Sequence, residues 1–323
     1  MKGGTLFSGI GAPEFAASGI DWRWSAENDK FASSVHAARF PSIPNLGDVT
    51  KVSWDEQEPV DVVVFGSPCQ SFSVAGRRAG LDDPRGNLTL VGLGIIERLR
   101  PRWFVWENVP GVLSLDGGRV FGAILGIMGE LRYGFAYRVL DAQFFGVPQR
   151  RRRVFVVGCL GGWRRAAAVL FEPESLRGDS PPSREAGERT AQPLASSPQG
   201  GSGYRNDADT ADNLIAFGGN DTRGAIDVAT ALNAHGGSHG RIDFESETFV
   251  VDHMMVRRLL PVEAERLQGF SDGWTAITYR GKPAADGPRY RALGNAMAVP
   301  VMRWILDRLM FVDSVPPKPK RRA

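Results

Sequence analysis

The sequence is short of cysteine, of histidine and of long apolar runs, and each shortage removes a class of explanation. Two cysteines in 323 residues leave no disulfide framework and fit a reducing cytoplasm. With four histidines besides, no metal is expected. No apolar run approaches the length of a membrane span. The start, Lys2 and two glycines ahead of a short strand, reads as no signal peptide. Charge of one sign is also missing. Lys and Arg number 39 against 36 Asp and Glu, for a net charge of +3 and a pI near 9.0. That balance is compatible with a nucleic-acid partner without establishing one. The arginine clusters at 150–153, 164–165 and 257–258 point that way more directly.

Hydrophobic content of 42% is ordinary for a folded core, and the length permits one large domain with a small insert. The first half alternates short apolar runs with helical patterns. Strands are predicted at 5–8, 22–27, 60–65, 103–106, 137–140 and 154–158, and helices at 31–40, 88–99 and 120–131. That alternation predicts an α/β fold with a doubly wound, mostly parallel sheet. From about 172 to 240, Pro, Gly, Ser, Asn and Asp dominate, which predicts irregular structure. Helical patterning returns at 261–268, with Pro261 in its first turn, and at 297–311, where Gly294 and Asn295 are read as opening the last helical stretch. The basic tail at 312–323 reads as extended and disordered.

The densest chemistry follows the apolar run 60–65: Gly66-Ser67-Pro68-Cys69-Gln70-Ser71-Phe72-Ser73. A cysteine in a turn at the carboxyl end of a buried strand stands where open α/β sheets do chemistry, and a lone thiol there is a candidate nucleophile. An inert buried thiol explains Cys69 taken alone equally well. A second turn, Phe7-Ser8-Gly9-Ile10-Gly11, carries glycines that let the backbone approach a ligand. Glu14 occupies the position of a third dinucleotide-type glycine, and its carboxylate beside a pyrophosphate argues against a dinucleotide. Glu27, at the end of the second strand, suits ribose hydroxyls, and Asp48, with Val49, suits an adenine amino group. A tight turn with two surface acids is the plain alternative. Glu107 ends the strand at 103–106 beside two tryptophans; a pKa raised by burial there would make it a proton donor, and a solvated strand-end carboxylate is the plain alternative. Arg151 and Arg153 share one side of an extended segment. The loop 74–87 holds Arg77, Arg78 and Arg85 among glycines, as suits closure over a phosphate backbone.

Taken together, Phe7-Ser8-Gly9-Ile10-Gly11, Pro68-Cys69-Gln70, Glu107-Asn108-Val109, Gln149 to Arg153 and Gly294-Asn295 resemble, in order and spacing, the motifs of the DNA (cytosine-5)-methyltransferases. The resemblance implies a Rossmann-like methyltransferase domain that uses S-adenosyl-L-methionine. It implies Cys69 as nucleophile at cytosine carbon-6 and Glu107 as donor to ring N3. Arg153 and Arg151 would approach the flipped base, and Phe7 would stack on adenine. The cofactor would lie against Ser8, Gly9, Ile10, Gly11, Glu27, Asn28, Asp48, Val49, Pro68, Asn295 and Ala296. The implied substrate is double-stranded DNA, touched by Gln70, Ser73, Arg77, Arg78 and Arg85, with Arg205, Arg223 and Arg241 as candidates in a variable reading region. Two positions depart from the family pattern: Thr5 where an Asp is common, and Asn28 where an aromatic is common.

On this reading residues 1–163 form the catalytic and cofactor domain and 164–288 a small, irregular target-recognition domain, while 289–311 return to the catalytic domain. A cytoplasmic monomer is expected, acting beside a cognate restriction endonuclease or alone as a phage-type enzyme. An RNA methyltransferase of the same fold, a non-catalytic DNA-binding relative and a nucleotide-level enzyme with the same thiol chemistry are the competing classes. The first usually carries a further cysteine motif, and no cysteine follows Cys159.

Overall fold

Strands that are apolar on both faces need cover on both, and the chain provides it in three layers. The computed structural model describes residues 1–68, 88–172, 215–218, 229–230, 248–252 and 255–316. The central six-stranded sheet has the order β2-β1-β3-β4-β6-β5, formed by β1 (Lys2–Leu6), β2 (Asp21–Ala26), β3 (Val62–Gly66), β4 (Trp103–Asn108), β5 (Tyr133–Asp141) and β6 (Arg152–Leu160). The pairs β1–β2, β1–β3 and β3–β4 are parallel; β6 is antiparallel to both β4 and β5. The predicted mostly parallel, doubly wound sheet is what forms.

Alternation along β3 decides the layers. Val62 and Val64 face one apolar cluster, Val63 and Phe65 the other. The second cluster is closed by α3 (Leu88–Leu99) and α4 (Arg119–Glu130), through Leu93, Ile96, Phe121 and Met128. The first is closed by α1 (Ala12–Ala16), α2 (Lys30–Arg39), α5 (Trp163–Leu170) and α8 (Val299–Ser314), with α8 packed on α1 and α5. The two ends of the chain therefore meet in one body.

Three expectations need correcting. The boundary after 163 cuts α5, whose Ala166, Val169 and Leu170 are fully buried in the catalytic core; that helix belongs to the catalytic layer. Phe270 and Trp274, placed in the recognition domain, share the same cluster with Phe15 alongside. Gly294 and Asn295 do not open the last helix but close α7 (Asp286–Asn295), and α8 starts at Val299 and runs on to Ser314. The run of small and polar residues in α7 hid that helix from a reading by apolar period.

In the polar stretch the structure also finds order. β7 (Ile215–Gly218), β8 (Thr248–Asp252) and β9 (Met255–Arg258) form an antiparallel three-stranded sheet in the order β7-β8-β9. β9 leads into α6 (Pro261–Gln268), whose start is fixed by Glu263 bonding both Arg257 and the Leu260 amide. Ala229 makes a parallel bridge to Gln149 through two main-chain bonds, Arg150 N to Ala229 O at 2.9 Å and Ala229 N to Pro148 O at 2.8 Å.

Candidate active site

In the sheet, β1 runs to β2 on one side while β3 leads to β4 on the other, so the switch point lies between β1 and β3. The turns leaving those two strands border one cleft, lined by Thr5, Phe7, Ser8, Gly9, Gly66, Glu107, Asn295, Ala296 and Met297 among others. Residues from both halves of the chain thus converge there.

The turn after β1 is held in an uncommon shape. Phe7, a non-glycine residue, has φ +55°, and Gly9 and Gly11 have φ +58° and +85°. A Cβ on Gly9 would meet nothing, so its backbone is open to a ligand. Glu27 Oε2 accepts the Gly9 amide at 2.8 Å and Oε1 accepts the Asp29 amide at 2.7 Å. Burial pushes the Glu27 carboxyl above the ordinary glutamate range, with those amides opposing it. Asp48 accepts the amide and hydroxyl of Thr50, which hold it below the usual carboxylate range. Val49 is in the core at 6% exposure, and Asn28 and Pro68 are exposed.

Glu14 departs from what the sequence predicted. Glu14 is buried at 3% exposure and bonded to Thr5 and His36. It is turned into the core, so it does not stand against a pyrophosphate, and that argument against a dinucleotide lapses.

Glu107 is brought next to Gly66 by the β3–β4 register. A Cβ at Gly66 would lie 2.7 Å from Met297 Cε and 3.1 Å from Glu107 Oε2, so only glycine leaves both in place. Arg153 Nε approaches Glu107 Oε1 at 3.1 Å, with the side chains 19% and 12% exposed. Arg151, expected at the reacting base, is instead buried, at 3% exposure. Its Nη2 donates to the carbonyls of Gly294 and Ala296 at 3.1 and 2.7 Å, and burial lowers its pKa to about 9. It fastens the far wall of the cleft. The period-two reading was sound, since Gln149 and Arg151 point inward with Arg153 following, while Arg150 and Arg152 are exposed; Arg151 spends that position on main-chain carbonyls.

One group went unread. Ser67, the second residue before Cys69, bonds Thr89 at 2.7 Å, Trp106 Nε1 at 3.0 Å and Asn108 Nδ2 through its own carbonyl at 3.2 Å. Polar side chains at the buried ends of apolar strands were the available signal. Cys69, Gln70, Ser73, Arg77, Arg78, Arg85, Arg205, Arg223 and Arg241 lie outside the described residues. The other thiol, Cys159, is 1% exposed and burial pushes it up to about 11.

The donor set fits S-adenosyl-L-methionine. An open glycine turn, an aromatic at Phe7 and a carboxylate at Glu27 suit an adenosine, and among the described residues lining the cleft there is no Lys or Arg.

Comparison with known proteins agrees with this geometry. A family profile described as C-5 cytosine-specific DNA methylase matches residues 1–192 and 201–310. The chain is 33% identical over 457 aligned residues to a protein of Escherichia phage P1 named as a DNA N-6-adenine-methyltransferase, an alignment that takes in 95% of the chain and 60% of that protein. It is 32% identical to the Type II methyltransferase M2.BsuMI of Bacillus subtilis, over 96% of the chain and 75% of the relative. Among solved structures, Dnmt2 methyltransferase of S. pombe superposes with a TM-score of 0.68 at 14% identity, covering 98% of this chain and 100% of that one. The Entamoeba histolytica methyltransferase EhMeth gives 0.60 at 16% identity, covering 96% and 98%. These last two establish the fold.

Proposed function

Because the chain belongs to the family of C-5 cytosine-specific DNA methylases, we propose that it methylates carbon-5 of a cytosine flipped out of duplex DNA, through a transient bond from the Cys69 sulfur to ring carbon-6. The observation that carries the reading is the meeting of Glu107 and the β1 turn in one cleft at the switch point, with Ser67 anchoring the strand end that leads to Cys69.

Carbon-5 of cytosine is a weak nucleophile. A thiolate adding to carbon-6 pushes an electron pair towards carbon-5 and N3. Glu107, in reach of the cleft, donates a proton to N3, and Arg153 orients that carboxyl. S-adenosyl-L-methionine, the family's cofactor, supplies a sulfonium-bound methyl group as the electrophile. The Phe7–Gly11 backbone and Glu27 would hold it, with Asn295 and Ala296 on the opposite wall. Water then takes the carbon-5 proton, the electron pair of that bond re-forms the 5,6 double bond, and the carbon–sulfur bond breaks with its pair returning to sulfur, which restores the Cys69 thiolate. Flipping is required because the thiolate must approach carbon-6 over the face of the ring, and in a duplex the stacked neighbours cover that face.

A second reading comes from the name of the phage P1 relative, of which this chain spans 60%. An exocyclic amine carries its own lone pair and needs no thiol addition, so Pro68-Cys69-Gln70 would have no task in adenine methylation. The Type II name of the Bacillus subtilis relative supports work beside a restriction endonuclease, with the stretch from β7 to β8 as part of the DNA-reading region.

The test is nucleoside mass spectrometry of DNA treated with the purified chain and labelled cofactor. 5-Methylcytosine is expected, and N6-methyladenine would overturn the proposal. Duplex DNA with 5-fluorocytosine at the target should trap an adduct that maps to Cys69.

A further inference from the structure

Beneath the β1 turn lies a buried polar chain that the reaction does not use. Ala26 N donates to Ser8 Oγ at 3.1 Å, Ser8 Oγ lies 2.7 Å from Thr5 Oγ1, and Thr5 Oγ1 donates to Glu14 Oε1 at 2.5 Å. His36 Nε2 is 3.2 Å from the same oxygen. Thr5, Ser8, Glu14 and His36 are 0%, 7%, 3% and 1% exposed.

A hydroxyl has one proton. Thr5 gives its own to Glu14, so towards Ser8 it can only accept. The Ser8 hydroxyl takes the Ala26 amide on a lone pair and has the carbonyls of Thr5 and Ala26, at 3.2 and 3.3 Å, as further acceptors for its proton. The bond from Thr5 to Glu14 closes the chain. Ser8 stands between Phe7 and Gly9, both with positive φ, and Phe7 pays for that conformation without glycine's freedom. Among the described residues Glu14 Oε2 and His36 Nδ1 have no hydrogen-bond partner, so the pair is an expensive way to fill a core. An apolar filler would serve stability alone.

We propose that Glu14 is a positioning residue for the cofactor: as the terminal acceptor of the Ala26–Ser8–Thr5 chain, it holds the Phe7–Gly11 turn in the shape that receives S-adenosyl-L-methionine. His36 reaches the far end of the same turn, since a Cβ on Gly11 would lie 3.2 Å from its ring. The inference rests on that turn being the cofactor site.

The experiment is calorimetric titration of S-adenosyl-L-methionine into the wild-type chain and three variants, with thermal melts of each and kcat at saturating cofactor and DNA. Thr5→Val keeps the shape and removes the donor to Glu14; Glu14→Leu removes the acceptor; Glu14→Gln keeps an acceptor oxygen. Thr5→Val and Glu14→Leu should each raise the cofactor Kd about tenfold, the scale of one lost hydrogen bond. Saturated kcat should stay within about twofold, and Glu14→Gln should recover most of the affinity. If Glu14→Leu does not fold, Thr5→Val decides. Lower melting temperatures with unchanged Kd would make the chain a mere core element and overturn the inference. A wild-type chain that does not bind the cofactor would overturn the cofactor reading itself, and this inference with it.

Discussion

Arg153 reaches across the antiparallel seam of the sheet to Glu107, Nε to Oε1 at 3.1 Å, from the position two residues before Glu107's partner Phe155 in the β4–β6 register. Same-face diagonal neighbours on paired strands are within reach of long side chains, so the pairing is built into the register. On the proposed mechanism the two residues act on one proton. Glu107→Gln is expected to lower kcat by ~100-fold or more, the scale of a general-acid contribution. Arg153→Ala should cost a similar factor. The double variant should lose much less than the product of the two, because each single change already breaks the unit. Single-turnover methylation of a duplex measures all three; strictly multiplicative losses would separate the residues.

Arg151 should behave as a brace. Arg151→Met deletes the bonds to Gly294 and Ala296, each made by a charged donor, so a loss of about 1.5–3 kcal/mol in unfolding free energy is expected. Urea melts give that value. Retained stability together with a rate loss as large as that of Arg153→Ala would return Arg151 to the chemistry.

The two cysteines should separate by reactivity. Cys159, pushed up to about 11 by burial, stays a thiol at pH 8, and thiols are poor nucleophiles. Iodoacetamide on the native chain should label Cys69 alone and abolish methylation, with both sulfurs labelled after denaturation. Cys69→Ser should fold and lack activity. Peptide mapping that finds Cys159 modified first would contradict this.

Glu27 carries a pH signature. Its carboxyl is raised by burial, so protonation on acidification begins at a higher pH than for an ordinary glutamate, about 4.3. A protonated Glu27 is a poorer acceptor for ribose hydroxyls. Cofactor Kd should therefore rise as pH falls through the mildly acid range, and Glu27→Gln should flatten that rise. The sign for folding is opposite. A raised native pKa makes the fold bind the proton more tightly than the unfolded chain, so this contribution is full below the ordinary glutamate value and fades as pH climbs through the raised one. Calorimetry and melts between pH 4 and 8 read both.

The sheet was legible because its strands are apolar throughout. Val62, Val63, Val64 and Phe65 are all buried, and such a run needs no alternation to be seen. The predicted helix at 88–99 matches α3 (Leu88–Leu99) residue for residue. Short or polar elements escaped. α1 has five residues, α7 carries Arg289, Tyr290 and Arg291 in mid-helix, and β7 to β9 sit among glycine and asparagine. In the site, glycine, glutamate and arginine motifs could be named from one dimension. What they do to one another could not. Whether Arg151 faces a base or two carbonyls depends on where residues 294–296 return, and whether Glu14 faces a ligand or His36 depends on a residue 22 positions away. Such closures over long sequence distance leave no local mark.

The bridge between Gln149 and Ala229 ties the inserted stretch to the doorstep of the strand that carries Arg153, and it does so with amides and carbonyls alone. Main-chain bonds ask little of residue identity; any residue but proline can supply the Ala229 amide. A fastening of this kind is indifferent to the side chains displayed around it. If the stretch around Ala229 reads DNA as proposed, its side chains can therefore change while this contact is kept, and the fold can acquire new preferences without renegotiating its chemistry.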